Sequence, residues 1–78
     1  MKLPRGVSGE RLIRALDRLG YEAIRQKGSH VRMRHPGPPA HAITVPLHGS
    51  MKTGTLHSLL SEVAHMRSVT IDAIVGML

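Results

Sequence analysis

Two clusters of turn-forming residues, Gly28-Ser29 and Pro36-Gly37-Pro38-Pro39, cut residues 21–46 into three pieces of strand length. Connections this short carry no crossover, so the pieces can pair only as an antiparallel meander. The middle piece alternates: Val31 and Met33 share one face, and His30, Arg32 and Arg34 share the other. The third piece, Ala42 to Val45, points Ile43 and Val45 the same way and stops at Pro46. The first, Tyr21 to Lys27, is extended, but its mixed apolar pattern assigns no inward face.

Helical spacing brackets the meander. Ser8 is placed to cap a first helix, with Glu10 at its positive end. Leu12, Ile13, Leu16 and Leu19 recur on one side, Arg11, Arg14 and Arg18 fall on the other, and Gly20 supplies the stop. After a loop through His48, Gly49, Ser50 and Lys52, a second helix begins near Thr53 with Leu56, Leu59, Leu60 and Val63 as its stripe. Thr70 caps a last short helix carrying Ile71, Ile74, Val75 and Leu78, with Asp72 in its first turn and Gly76 weakening it. The order α-β-β-β-α-α predicts an α+β fold in which helices cover one face of a three-stranded sheet and leave the other open.

Length and composition bound the rest. Seventy-eight residues make one domain spanning 1–78, with no linker or internal repeat. With one tyrosine and no phenylalanine or tryptophan, the core must come from Leu, Ile, Val, Met and Ala, and few rings remain on which to stack bases. The lack of cysteine excludes disulfides and thiolate metal sites. Met1-Lys-Leu-Pro-Arg-Gly-Val7 lacks the apolar segment of a secretion signal, and no run is long enough to cross a bilayer; a cytoplasmic location is expected by default. Eleven Lys and Arg against five Asp and Glu give a formal charge of +6, which points to a polyanion, nucleic acid before an anionic membrane or an acidic protein.

Chemistry concentrates in Arg25-Gln-Lys-Gly-Ser-His-Val31. Imidazole is the side chain whose ordinary pKa lies near neutrality, so His30 is suited to moving a proton. Arg25, Lys27, Arg32 and Arg34 around it supply what a phosphodiester needs, and the strand phase puts His30, Arg32 and Arg34 on the open face with Thr44. The plainer alternative is an exposed strand histidine without a duty. Ser29 serves as a turn hydroxyl or touches RNA, and no histidine–carboxylate relay beside it suggests a serine hydrolase. Lys52-Thr-Gly-Thr55 lacks the spacing of a nucleotide-binding loop. Lys52 and the following amides could grip one phosphate, or Thr53 or Thr55 could simply cap the helix. The six histidines, His30, His35, His41, His48, His57 and His65, lack the tight spacing of a dedicated zinc site, so no metal or other cofactor is expected; His57 and His65 fit surface positions.

Lys27-Gly-Ser-His30, His35-Pro36, Ile43-Thr-Val-Pro46 and Lys52-Thr-Gly-Thr-Leu56, in this order and spacing, resemble the HicA toxins of bacterial toxin–antitoxin pairs. The opening helix ending in Gly20-Tyr21 and the closing 70–78 stretch are similar as well, so the likeness covers nearly the whole chain. It departs in having Tyr21 alone where the family often carries more aromatic residues, and in its proline-heavy loop from Pro36 to Ala40. The resemblance implies a fold like a double-stranded-RNA-binding domain, with a short extra C-terminal helix here. It also implies an mRNA-cleaving activity restrained by a HicB antitoxin, with the key histidine at His30. A metal-free ribonuclease can use the RNA's own 2′-hydroxyl as nucleophile; His30 would then be the base or the acid, and Lys27, Arg32 and Arg25 would hold the phosphate. Two rival readings use the same residues: a non-catalytic RNA-binding module, and a basic domain that docks an acidic protein. Oligomeric state stays open; a monomer alone that becomes multimeric with the antitoxin is one arrangement that fits, and nothing in the pattern fixes the count.

Overall fold

Six elements follow one another: α1 (Gly9–Arg18), β1 (Glu22–Lys27), β2 (His30–His35), β3 (His41–Pro46), α2 (Thr53–Arg67) and α3 (Ile71–Val75). The computed structural model describes residues 3–78; Met1 and Lys2, at the start of the stretch weighed as a leader, lie outside the described residues. The strands form one antiparallel sheet in the order β1-β2-β3, and the helices pack on one of its faces. This is the expected α+β arrangement, like that of a double-stranded-RNA-binding domain, with α3 as the short addition. Among the described residues, no helix is long and apolar enough to cross a membrane.

Local chemistry sets the ends of the helices. The Ser8 hydroxyl accepts the Arg11 N–H at 3.1 Å and caps α1, and Thr70 Oγ1 accepts the Ala73 N–H at 3.0 Å and caps α3; each cap stabilises its helix by about 1 kcal/mol. Helix α2 starts at Thr53 as expected, but without the threonine cap weighed as one alternative. Its N-cap is Lys52, extended at φ −62° and ψ 143°, with no side-chain cap bond. Thr53 and Thr55 lie past that boundary, inside the helix, so neither caps it. Gly9 does a job that sequence patterning does not show. A Cβ there would lie 2.0 Å from the Pro46 carbonyl oxygen, so only glycine lets the start of α1 rest on the end of β3. The Gly9 N–H donates to the His48 carbonyl at 2.9 Å across the same junction.

The core lies between the sheet and the helices. Leu12 and Leu16 of α1, Val31 and Met33 of β2, Ile43 and Val45 of β3, and Leu56, Leu60 and Val63 of α2 are all buried, with Val7, Tyr21, Met51 and Ile74 closing the edges. The alternation in β2 and β3 is therefore obeyed. In β1 it is broken: Ala23 faces Met33 and Arg25 faces Arg32, leaving Ile24 as an extra residue in a bulge. Since directly paired residues share a face, Ala23 and Gln26 lie on the core side, whereas Glu22, Arg25 and Lys27 join the open side.

Candidate nucleic-acid interface

The two-residue turn Gly28-Ser29 places His30. Gly28 adopts φ +57°, the positive value that a tight hairpin of this kind demands at its first central position, and Lys27 then faces His30 across the β1–β2 ladder. The Ser29 carbonyl accepts the Leu47 N–H at 2.6 Å, which ties this turn to the end of β3. The open face thus carries three rows: Lys27, His30 and Pro46; Arg25, Arg32 and Thr44; Glu22, Arg34 and Ala42. Arg25, Lys27, His30, Arg32 and Thr44 line one shallow depression of about 360 Å³.

Its electrostatics are one-sided. Among the described residues, the one contact within 4 Å between a basic side chain and a carboxylate is His41–Glu62, so none of Arg25, Lys27, Arg32 and Arg34 has a carboxylate that close. Arg25 stands directly opposite Arg32, so two like charges share one position of the ladder. Arg32 Nη1 donates to Thr44 Oγ1 at 3.0 Å, which holds the guanidinium across the face. His30 is exposed, and no described residue hydrogen-bonds its ring. Chemically, the depression offers one imidazole for proton transfer and three cations for an anion.

Three of the residues singled out from sequence lie outside that lining. Arg34 is on the open face, one row beyond Arg32. Ser29 is exposed in the turn, and Lys52 is exposed at the start of α2, in the helix layer. A larger hollow, about 930 Å³, lies elsewhere, between Leu3, Pro4 and Arg5, the start of α2, and Val75. Arg5 and His57 alone bring charge or proton chemistry to it, so the smaller depression, where cations converge on an imidazole, is the better site. Among the described residues, no group of three His, Cys, Asp or Glu side chains is placed to hold a metal ion.

A second polar cluster, not anticipated from the sequence, lies at the opposite end of the sheet. His35 and His41 face each other in the last pair of the β2–β3 ladder, on the core side. The Tyr21 hydroxyl donates to His41 Nδ1 at 2.7 Å, and His41 Nε2–H donates to Glu62 Oε2 on α2 at 2.6 Å. Gly37 N–H and Arg67 both donate to His35 Nδ1, so the His35 proton is on Nε2, which donates to the Leu19 carbonyl at 3.1 Å. Arg67 also donates to the Pro39 carbonyl, and its guanidinium carbon lies 5.8 Å from the centre of the Tyr21 ring. Burial pushes the Tyr21 phenol above its ordinary value of 10.0, with Arg67 opposing the shift and Glu62 adding to it. The signal was in the alternation: His35 continues the phase of Val31 and Met33, and His41 that of Ile43 and Val45.

Residues 9–64 match the sequence model described as HicA toxin of bacterial toxin–antitoxin systems. The chain belongs to the HicA toxin family. The match runs from the first residue of α1 well into α2, and so includes the whole sheet and every residue that lines the depression. HicA toxins work in pairs with antitoxins, and membership places this protein on the toxin side of such a pair. No curated protein and no solved structure matches the chain.

Proposed function

We propose that this HicA-family toxin is a metal-independent endoribonuclease that cleaves mRNA at the open sheet face, with His30 as its catalytic residue. The observation that carries the reading is the convergence of Arg25, Lys27 and Arg32 on an exposed imidazole in one depression, without a carboxylate to neutralise them. A phosphodiester seated between Arg25 and Arg32 relieves their mutual repulsion. The 2′-oxygen attacks phosphorus as it loses its proton, the bond to the 5′-oxygen breaks, and that oxygen gains a proton. The products are a 2′,3′-cyclic phosphate and a 5′-hydroxyl. His30 moves the proton at one of the two oxygens, and water, which reaches this open face freely, serves the other. Lys27 and Arg32 stabilise the charge that builds on the phosphoryl oxygens, with Arg25 beside them. Arg34, one row beyond Arg32, and Ser29, in the turn beside His30, contact the RNA backbone on either side of the depression, and Lys52 meets it only where the strand turns the sheet edge toward the start of α2.

The antitoxin partner is of the HicB type, and it silences the toxin by covering the His30 face. Purified His30→Ala should lose cleavage while keeping its RNA affinity and melting temperature; cleavage equal to wild type would overturn the assignment. An antitoxin complex that leaves His30 open to solvent yet abolishes cleavage would refute occlusion.

A further inference from the structure

We propose that Ile24 is an RNA-contacting residue, its side chain packing on the apolar face of a base or ribose beside the phosphate gripped by Arg25 and Arg32. This rests on the nucleic-acid reading above and adds to it a contact that is not electrostatic. A single exposed apolar side chain is ordinary on a protein surface. What sets Ile24 apart is its place. It is 55% exposed, the exposed large hydrophobic residue among those described, and it occupies the bulge that interrupts β1 next to Arg25 and across from Arg32. Bulges re-aim side chains and concentrate beside functional sites.

The bulge is not needed to set the register. Ala23 on the core side and Arg25 on the open side would follow each other in a regular strand if Ile24 were absent, and Gln26 and Lys27 would keep their partners Val31 and His30. The extra residue therefore adds an exposed apolar side chain next in sequence to the cationic Arg25. Nor is a larger ring free for the same work: Tyr21, the one residue among Phe, Tyr and Trp, is fully buried and hydrogen-bonded to His41. A ligand that covers Ile24 must bring negative charge and apolar surface together within a few ångströms. A nucleic-acid strand does this at every nucleotide, and apolar side chains including isoleucine are used against bases elsewhere.

The test compares wild type, Ile24→Ser, a variant lacking Ile24, and Lys27→Ala for binding to a short single-stranded RNA and to inorganic polyphosphate, which has charge but no base or ribose. Both Ile24 variants should bind RNA about tenfold more weakly, bind polyphosphate as wild type does, and melt no lower than wild type. Lys27→Ala should weaken both ligands. If the deletion fails to fold, Ile24→Ser carries the same comparison. RNA affinity unchanged in Ile24→Ser would overturn the proposal, and if antitoxin binding fell instead, Ile24 would belong to a protein interface. Equal losses for RNA and polyphosphate would overturn it too, since the effect would then run through the cations. A wild-type protein that binds no RNA would instead sink the nucleic-acid reading itself, and the Ile24 contact with it.

Discussion

Tyr21→Phe isolates the second polar cluster, because it deletes one oxygen and leaves the buried ring in place. The hydroxyl is the donor to His41 Nδ1 at 2.7 Å, and the His41 side chain is 8% exposed, so water does not readily replace it. A typical hydrogen bond contributes a net ~1 kcal/mol, and an acceptor left unpaired in such a place costs about 1–3 kcal/mol. The lower half of that range is the better expectation, since the ring keeps its Nε2 bond to Glu62 at 2.6 Å. A loss of about 1–2 kcal/mol in a domain of this size lowers the melting temperature by roughly 5–15 °C. Thermal unfolding followed by far-ultraviolet circular dichroism reads it directly. Glu62→Gln should also destabilise, and the double variant should lose less than the sum, because the two bonds share one imidazole. RNA cleavage below the melting transition should be unchanged, as the cluster lies at the far end of the sheet from His30. An unchanged melting temperature in Tyr21→Phe would refute the reasoning that this little-exposed hydrogen bond stabilises the fold.

The same phenol gives a pH prediction. Burial raises its pKa above 10.0, so the unfolded chain ionises first; the stability that is present below 10.0 falls as pH rises past it. Absorbance of the one tyrosine should therefore titrate late and together with loss of helix, whereas ionisation at 10.0 with the fold intact would contradict it. Gly9→Ala should cost about 1–3 kcal/mol in chemical denaturation, because the added carbon lands on the Pro46 carbonyl; full stability would mean that α1 can shift freely. Arg25→Ala and Arg32→Ala should each weaken RNA binding across unrelated sequences and make the dependence of log affinity on log salt shallower by about one unit. A loss confined to one sequence would assign these residues to bases, not phosphates.

Much of the architecture was legible because its determinants are local. Ser8 and Thr70 announce their caps, Gly28-Ser29 and the proline cluster announce the turns, and strict alternation in Val31–Met33 and Ile43–Val45 fixes which face of the sheet is buried. The same alternation put His30, Arg32, Arg34 and Thr44 on the open face. Strand β1 resisted because a bulge shifts its period at Ile24, and nothing in Glu-Ala-Ile-Arg-Gln-Lys marks which residue is the extra one. For that reason, sequence patterning alone did not bring Arg25 and Lys27 to the face. The Tyr21–His41–Glu62 and His35–Arg67 contacts were hidden for another reason. Their members come from β2, β3, α2 and the residue before β1, so only the packed fold brings them together, and polar residues at strand ends resemble ordinary surface positions. The start of α2 near Thr53 was legible, but not its cap: threonine is a good cap in general, while here Lys52 takes the boundary conformation.

The most direct measurement is an RNA digest by the purified protein in excess EDTA, with His30→Ala alongside and the new ends identified chemically. Cleavage by wild type alone, leaving 2′,3′-cyclic phosphate and 5′-hydroxyl ends, is the predicted result. Cleavage that EDTA abolishes, or that His30→Ala retains, would contradict metal-free chemistry centred on His30.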